Sequence, residues 1–374
     1  MNQQSIRGAC HCKRRWIVLC HAGACNACRV AYAGALDEVE PRLSAASMTR
    51  RPSLLTLGLL VLAATTSPAL QPEAEVVELT RSGSHVDVRI GGRLFTTYYV
   101  DPSVAKPYFF PLRSAAGTVV TRSFPMVSDV AGERRDEPHQ RAMYFAHGDV
   151  NGLDFWGEAA FPKWSDHPLS TFGRTIFRTF DEMQGGPHDG RLRATFELVA
   201  PSGSLAEETQ SFRFAGDEQS RIIDCEFAIR ASHGPITMGD TKEGTFAIRL
   251  VGALASPPGH IVNAEGATGE KGVWGKRSNW VDYSGRVADE SVGVAILDHP
   301  QNLRAPTYWH ARAYGLLAAN PFGVKQFTGD RRQDGKYAIP AGGSLVLRYR
   351  VFIHHGSPAE AGVAAVYRQF ATLE

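Results

Sequence analysis

The stretch DEPHQRAMYFAHGDVNGLDFW, Asp136 to Trp156, sets two histidines, an arginine, carboxylates and an asparagine among aromatic residues. Imidazole moves protons near neutral pH, guanidinium forks onto carboxylates, and a tryptophan face walls a cleft. Taken as a strand, it places His139, Arg141, His147 and Asp149 on one face with Met143 and Phe145. Fully extended it would span about 30 Å, too long for one small ligand. A turn near Gly148 is therefore expected, with Asp149, Asn151 and Asp154 at or beyond its end and Trp156 as a wall. The competing reading is an edge strand with partly exposed histidines. His147-Gly148-Asp149 also has the H-x-D spacing of a two-histidine, one-carboxylate iron site, with His299 or His310 as the third ligand. That pattern is short and nothing fixes the distal partner, so neither a metal nor a cofactor is assigned.

A second cluster is DHPQNLRAPTYWHARAYG. Asp298-His299-Pro300 turns the chain, Asn302 follows, and Tyr308, His310, Arg312 and Tyr314 alternate onto one face with Trp309 on the other. Such a face suits a hydroxyl-rich or carboxylated ligand; a buried network fastening two sheets would read the same way. In DTKEG, Lys242 and Glu243 sit at a strand junction. Glu243 is a general base if its pKa is raised, or else part of a solvated turn. Trp274 and Trp280 offer faces for sugar rings with Asp282 nearby, or they are core. No G-x-S-x-G elbow or H-E-x-x-H helix is present, and Gly266, Gly269 and Gly272 make no phosphate loop.

The elements that must carry these groups alternate with period two. Leu192, Ala194, Phe196 and Leu198 oppose polar neighbours; so do Ile223, Cys225, Phe227 and Ile229, and Leu345, Leu347, Tyr349, Val351 and Ile353. Gly91-Gly92 reads as a two-residue hairpin turn. One helix is expected, with Ser357 as N-cap, Pro358 at the first helical position, Glu360 completing a capping box, and Val363, Val366, Tyr367 and Phe370 facing a sheet. The fold class is all-β: one large antiparallel β-sandwich domain over 71–374 with a short C-terminal helix.

The first 70 of the 374 residues differ in kind. Met48 opens a segment with Arg50 and Arg51, an apolar run from Leu54 to Ala64 and then small residues, the layout of an export signal over 48–70. Residues 1–47 then read as an upstream extension. They hold five of the six cysteines, and C-x-x-C there lacks a second metal-binding half. Without residues 1–70 the chain has 32 basic and 35 acidic residues, a balance that excludes a nucleic-acid footprint. No later apolar run would span a bilayer. An exported protein, periplasmic or secreted, is expected.

Five ordered motifs then carry a resemblance. KPYFFPLRSAAGTVVTRSFP, DEPHQRAMYFAHGDVNGLDFW, DTKEGTFAIRL, WGKRSNWVDYSG and GVAILDHPQNLRAPTYWHARAYGLLAANPFG together resemble the bacterial family labelled PmoA-like, over nearly all of 71–374. Its label refers to a membrane methane monooxygenase subunit, which needs several apolar spans absent here. The resemblance implies an exported protein of polysaccharide-degrading bacteria. It also implies a fold similar to the galactose-mutarotase-like β-sandwich of aldose epimerases. Members read D-H-P-H-[HQ]-R where this chain has Glu137 in place of the first histidine. The expected function is acid/base chemistry on a saccharide, by an epimerase, lyase or hydrolase. His147, His310 and Glu243 would be catalytic. His139, Arg141, Asp149, Asn151, Trp156, Lys242, Trp274, Asp298, His299, Asn302 and Arg312 would bind substrate. A non-catalytic sugar-binding protein and a metal enzyme on His147 and Asp149 are the alternatives.

Overall fold

The structure, a computed structural model, describes residues 73–160 and 171–373. The expected extension and export signal lie outside the described residues. The first strands are β1 Val77–Ser82, β2 His85–Ile90, β3 Arg93–Tyr99, β4 Tyr108–Phe109, β5 Met143–His147 and β6 Arg174–Gln184. Next come β7 Gly190–Ala200, β8 Gly203–Gly216, β9 Ser220–Arg230, β10 Ile236–Met238, β11 Gly244–Arg249 and β12 His260–Asn263. The last are β13 Trp280–Val287, β14 Glu290–Asp298, β15 Tyr308–Arg312, β16 Leu316–Asn320, β17 Tyr337–Ile339 and β18 Ser344–His355. Short helices are α1 Gly269–Val273, α2 Val324–Thr328 and α3 Val363–Phe370.

Two eight-stranded antiparallel sheets form the domain, in the orders β1-β2-β3-β4-β5-β11-β16-β15 and β12-β13-β14-β18-β9-β8-β7-β6. The period-two strands bury their apolar sets, and β7, β9 and β18 each put the expected residues into the core. The inner faces meet ring on ring: Phe145 stacks on Phe227 at 4.1 Å and Phe246 on Tyr349 at 5.2 Å. Gly91 and Gly92 take φ of 59° and 73° between β2 and β3, the left-handed pair of a tight hairpin.

The C-terminal helix starts later than its cap signal implied. Ser357 and Glu360 do make the reciprocal box, with Ser357 N and Oγ both donating to Glu360 Oε2. The chain then turns through Gly362 at φ 66°, and α3 begins at Val363. Val363 and Phe370 cover Ala295, Leu297 and Phe352 on the outer face of the second sheet.

Candidate functional site

The Asp136–Trp156 stretch contributes a strand of five residues, not the long one its alternation implied. Within β5, Met143 and Phe145 point into the sandwich core, and His147 follows them inward at the strand's end. Its Nε2 lies 2.9 Å from the Gly239 carbonyl oxygen and its ring 4.8 Å from Phe322. The outer face of β5 carries Tyr144 and Ala146 instead, so the face expected to line a cleft is the buried one. Met143 and Phe145 decide this, because the larger apolar set takes the inside. His139 and Arg141 precede the strand. Arg141 forks onto Glu158 with two bonds of 2.9 Å and lies 5.1 Å from the Tyr108 ring. His139 is buried beside Glu137 and Trp156. The expected turn exists: Asp149 accepts from Gly152 N, and Asn151 at φ 53° clamps Pro235 O and Thr237 N. Both side chains are engaged in holding that turn.

Register assembles the outer face of the first sheet. Ala247 pairs with Tyr144 on one side and Ala318 on the other, and Ala318 pairs with His310. One row therefore reads Tyr144, Ala247, Ala318, His310, spanning about 14 Å at the usual strand spacing. Beside it Ala146 pairs with Thr245. Small side chains thus floor the middle of the face. On the β5 side rise Tyr108, Tyr144 and Trp156, the latter two with ring centroids 4.9 Å apart. On the β15 side stand Tyr308, His310 and Arg312, with Phe327 of α2 packed on Tyr308, His310 and Trp274. The floor and the first wall form a small second apolar cluster. Yet three buried polar atoms in and beside it have no hydrogen-bond partner: Tyr144 Oη, Thr245 Oγ1 and Trp156 Nε1. In an ordinary core each would cost about 1–3 kcal/mol.

Electrostatics separate the two expected catalytic histidines. Burial lowers His147 to about 4, against the Gly239 carbonyl, which favours protonation. Burial, then the charges of Lys242 and Arg312, lower His310 to about 3. His310 Nδ1 faces the Lys242 carbonyl oxygen at 3.0 Å, so a neutral ring donates there and leaves Nε2 as an acceptor. The two rings are on opposite faces of the sheet. Glu243 is ion-paired with Lys242, and its charge, after burial, raises the Tyr144 hydroxyl well above the usual phenol range. Arg312 reaches Glu270 at 3.2 Å. Beside the first wall, Lys106 is fully buried and bonds Glu158 at 3.0 Å and the Trp156 carbonyl at 2.8 Å. Burial works against the Glu158 carboxylate, but Lys106 and Arg141 outweigh it and hold its pKa below the usual range.

Other expected site residues lie elsewhere. Asp298 accepts from Asn302 Nδ2 at 2.7 Å and Thr307 N at 2.8 Å, and Asn302 also bridges to the backbone of Arg348. These three tie the turn after β14 to β18. His299 Nε2 faces the Leu373 carbonyl at 3.0 Å. Trp280 packs toward α3, and Asp282 bonds His354 at 2.9 Å on the second sheet, apart from Trp274. For the metal alternative, no three His, Cys, Asp or Glu converge among the described residues. A cavity of about 760 Å³ does open between α3 and the second sheet, but Arg213, Arg348 and Arg350 on its wall are paired with Asp224 and Glu226. Arg191 and Glu182 complete its charged lining, and every arginine among Arg213, Arg348 and Arg350 already has its carboxylate.

Sequence reasoning passed over Tyr144, Thr245, Arg249, Lys106 and Glu158. The signal for Tyr144 was present in the opening stretch, on the even positions turned away from the second sheet. No helix among the described residues is long and apolar enough to cross a membrane.

The profile of a family described as "Family of unknown function (DUF6807)" matches residues 85–368. No curated protein matches the chain. Among solved structures, the chain is similar to a galactose mutarotase-like protein from Clostridium acetobutylicum. The identity is 9%, 74% of this chain and 94% of that one are covered, and the TM-score is 0.31. It is also similar to the Slr1438 protein from Synechocystis, with 10% identity, 77% and 99% covered and a TM-score of 0.30. Likenesses at this level carry no argument about chemistry.

Proposed function

The chain belongs to this family of unknown function, DUF6807, and from that premise we propose that it binds a saccharide on the outer face of the first sheet and acts on it by acid/base chemistry. The observation that carries this is the set of three unpartnered donors, Tyr144 Oη, Thr245 Oγ1 and Trp156 Nε1, around a floor of alanines. A polyhydroxylated ligand has the acceptors those donors lack, and the rings of Tyr144 and Trp156 offer it apolar walls. His310 Nε2 accepts from a sugar hydroxyl. Glu243, beside Tyr144, is the group placed to take a proton, with Lys242 as its counter-charge. The Arg50–Ala64 pattern supports export, where free glycans are met.

Binding without turnover is the second reading. It is favoured by one observation: burial lowers His147 to about 4 and His310 to about 3, so neither imidazole carries a proton to donate as a general acid near neutral pH.

The test is a glycan screen by calorimetry with product analysis, on the wild type, Tyr144→Phe and Glu243→Gln. Loss of one hydroxyl donor from a bound sugar is expected to weaken binding about tenfold. Turnover abolished by Glu243→Gln with binding retained identifies the enzyme. Binding with unchanged ligand in the wild type identifies the lectin, and no glycan binding at all overturns both.

A further inference from the structure

At one end of the alanine floor the outer face turns basic. Arg249, opposite Leu316, is 1% exposed. Its guanidinium lies 4.3 Å over the Tyr314 ring and donates to Gln140 Oε1 at 2.7 Å and Asp136 Oδ1 at 2.8 Å. A guanidinium has five N–H donors, and Arg249 Nε has no partner. Arg122, 2% exposed, stands beside it and also reaches Asp136 Oδ1, at 3.1 Å. Arg134 forks onto the other oxygen of the same carboxylate. Asp136 therefore answers three guanidiniums. The other nearby carboxylate, Glu133, is occupied by Ser123 N and Phe124 N at 2.7 Å each. A cavity of about 290 Å³ opens here, walled by Arg122, Glu133, Arg134, Arg249 and Tyr314.

Three positive groups against two negative ones, with the two innermost guanidiniums almost fully buried, leave a cavity short of negative charge. Burial, then the charge of Arg249, lower Arg122 to about 10. Arg249 and Tyr314 border both the cavity and the floor.

Building on the saccharide site above, we propose that the sugar is anionic, with its carboxylate or sulfate group in the Arg122–Arg134–Arg249 cavity, which adjoins that site at Arg249 and Tyr314. Guanidinium groups fork onto either oxyanion, and the stacked Tyr314 ring keeps Arg249 flat and aimed.

The experiment is calorimetric titration of the protein with three galactan oligomers of equal length: neutral, uronate and sulfated. At low salt at least one anionic oligomer is expected to bind ten or more times tighter than the neutral one. That margin shrinks as salt rises, and which oligomer holds it names the anion. Arg249→Gln is expected to erase the preference while weak neutral binding remains. If that variant does not fold, the exposed Arg134→Gln is expected to cut the preference severalfold without touching fold. Equal affinity for neutral and anionic oligomers overturns this inference and leaves the saccharide site standing. Binding of none of the three, nor of any glycan in the wider screen, removes the saccharide site as well.

Discussion

His147 stands directly opposite Gly244 in the β5–β11 register, and its Nδ1 occupies the space a Cβ at 244 would fill, 2.4 Å from that position. The absence of a side chain on β11 is what admits the imidazole to the core. Gly244→Ala is therefore expected to destabilise the domain by about 1–3 kcal/mol, the usual cost of overpacking. In a His147→Ala background the same change should cost far less, because the clashing ring is gone. A double-mutant cycle from urea unfolding checks this. Equal costs in both backgrounds would show that another contact forbids the Cβ.

The depressed histidines predict acid lability. A histidine whose folded pKa lies below its unfolded value of about 6.5 adds stability above that pH, and the contribution is lost as pH falls toward the folded value. For His310 the window runs from 6.5 down to about 3, and for His147 from 6.5 down to about 4. The loss is on the order of 5 kcal/mol for His310 and 3 kcal/mol for His147 before any relaxation. Comparing wild type with His310→Gln at pH 8 and pH 5 isolates one group, since the remaining groups cancel. The wild type should lose more stability than the variant between those values; parallel losses would place the imidazole in water.

Much of the fold was legible because period two is a local property. Leu192 to Leu198 and Leu345 to Ile353 bury as their alternation dictates, and Gly91-Gly92 turns as its composition dictates. The site was less legible, for a physical reason. Alternation tells which residues share a face but not which face meets the other sheet. His147 is polar, yet it shares parity with Met143 and Phe145, and their burial carries it inside. Asp298, His299 and Asn302 look like a ligand cluster because buried turns need the same hydrogen-bonding side chains that ligands do. The alanine floor draws on three strands distant in sequence, with His310 of a fourth at its end, so no local pattern announces it.

Glu208 makes the opposite pH prediction. It is 2% exposed between the sheets, with Gln210 Nε2 donating at 2.6 Å and Tyr98 bonded in turn to Gln210. Burial raises its pKa to about 7, above its unfolded value. The folded state therefore holds a proton that the unfolded state releases, and stability from this group falls as pH rises from about 4.5 toward 7. Glu208→Gln keeps the acceptor for Gln210 and cannot ionise. Its advantage over wild type should grow across that window to on the order of 3 kcal/mol above it. Denaturant midpoints at pH 5 and pH 8 would show the widening gap; a constant difference would mean that the carboxyl ionises freely in the fold.

Lys106, Arg141 and Glu158 form a triad whose single acid is 3% exposed and answers two cations. Glu158→Gln preserves shape but leaves the Lys106 ammonium, fully buried, without its counter-charge. Removing one partner of a buried ion pair costs about 3–5 kcal/mol, because the remaining charge cannot regain water. Lys106→Met in the Glu158→Gln background removes the stranded ammonium and should recover part of that loss. The recovery separates a charge effect from a packing one. If thermal melts show the double variant no better than Glu158→Gln, the lost energy belongs to the Arg141 fork, which would then anchor the Tyr108 wall by itself.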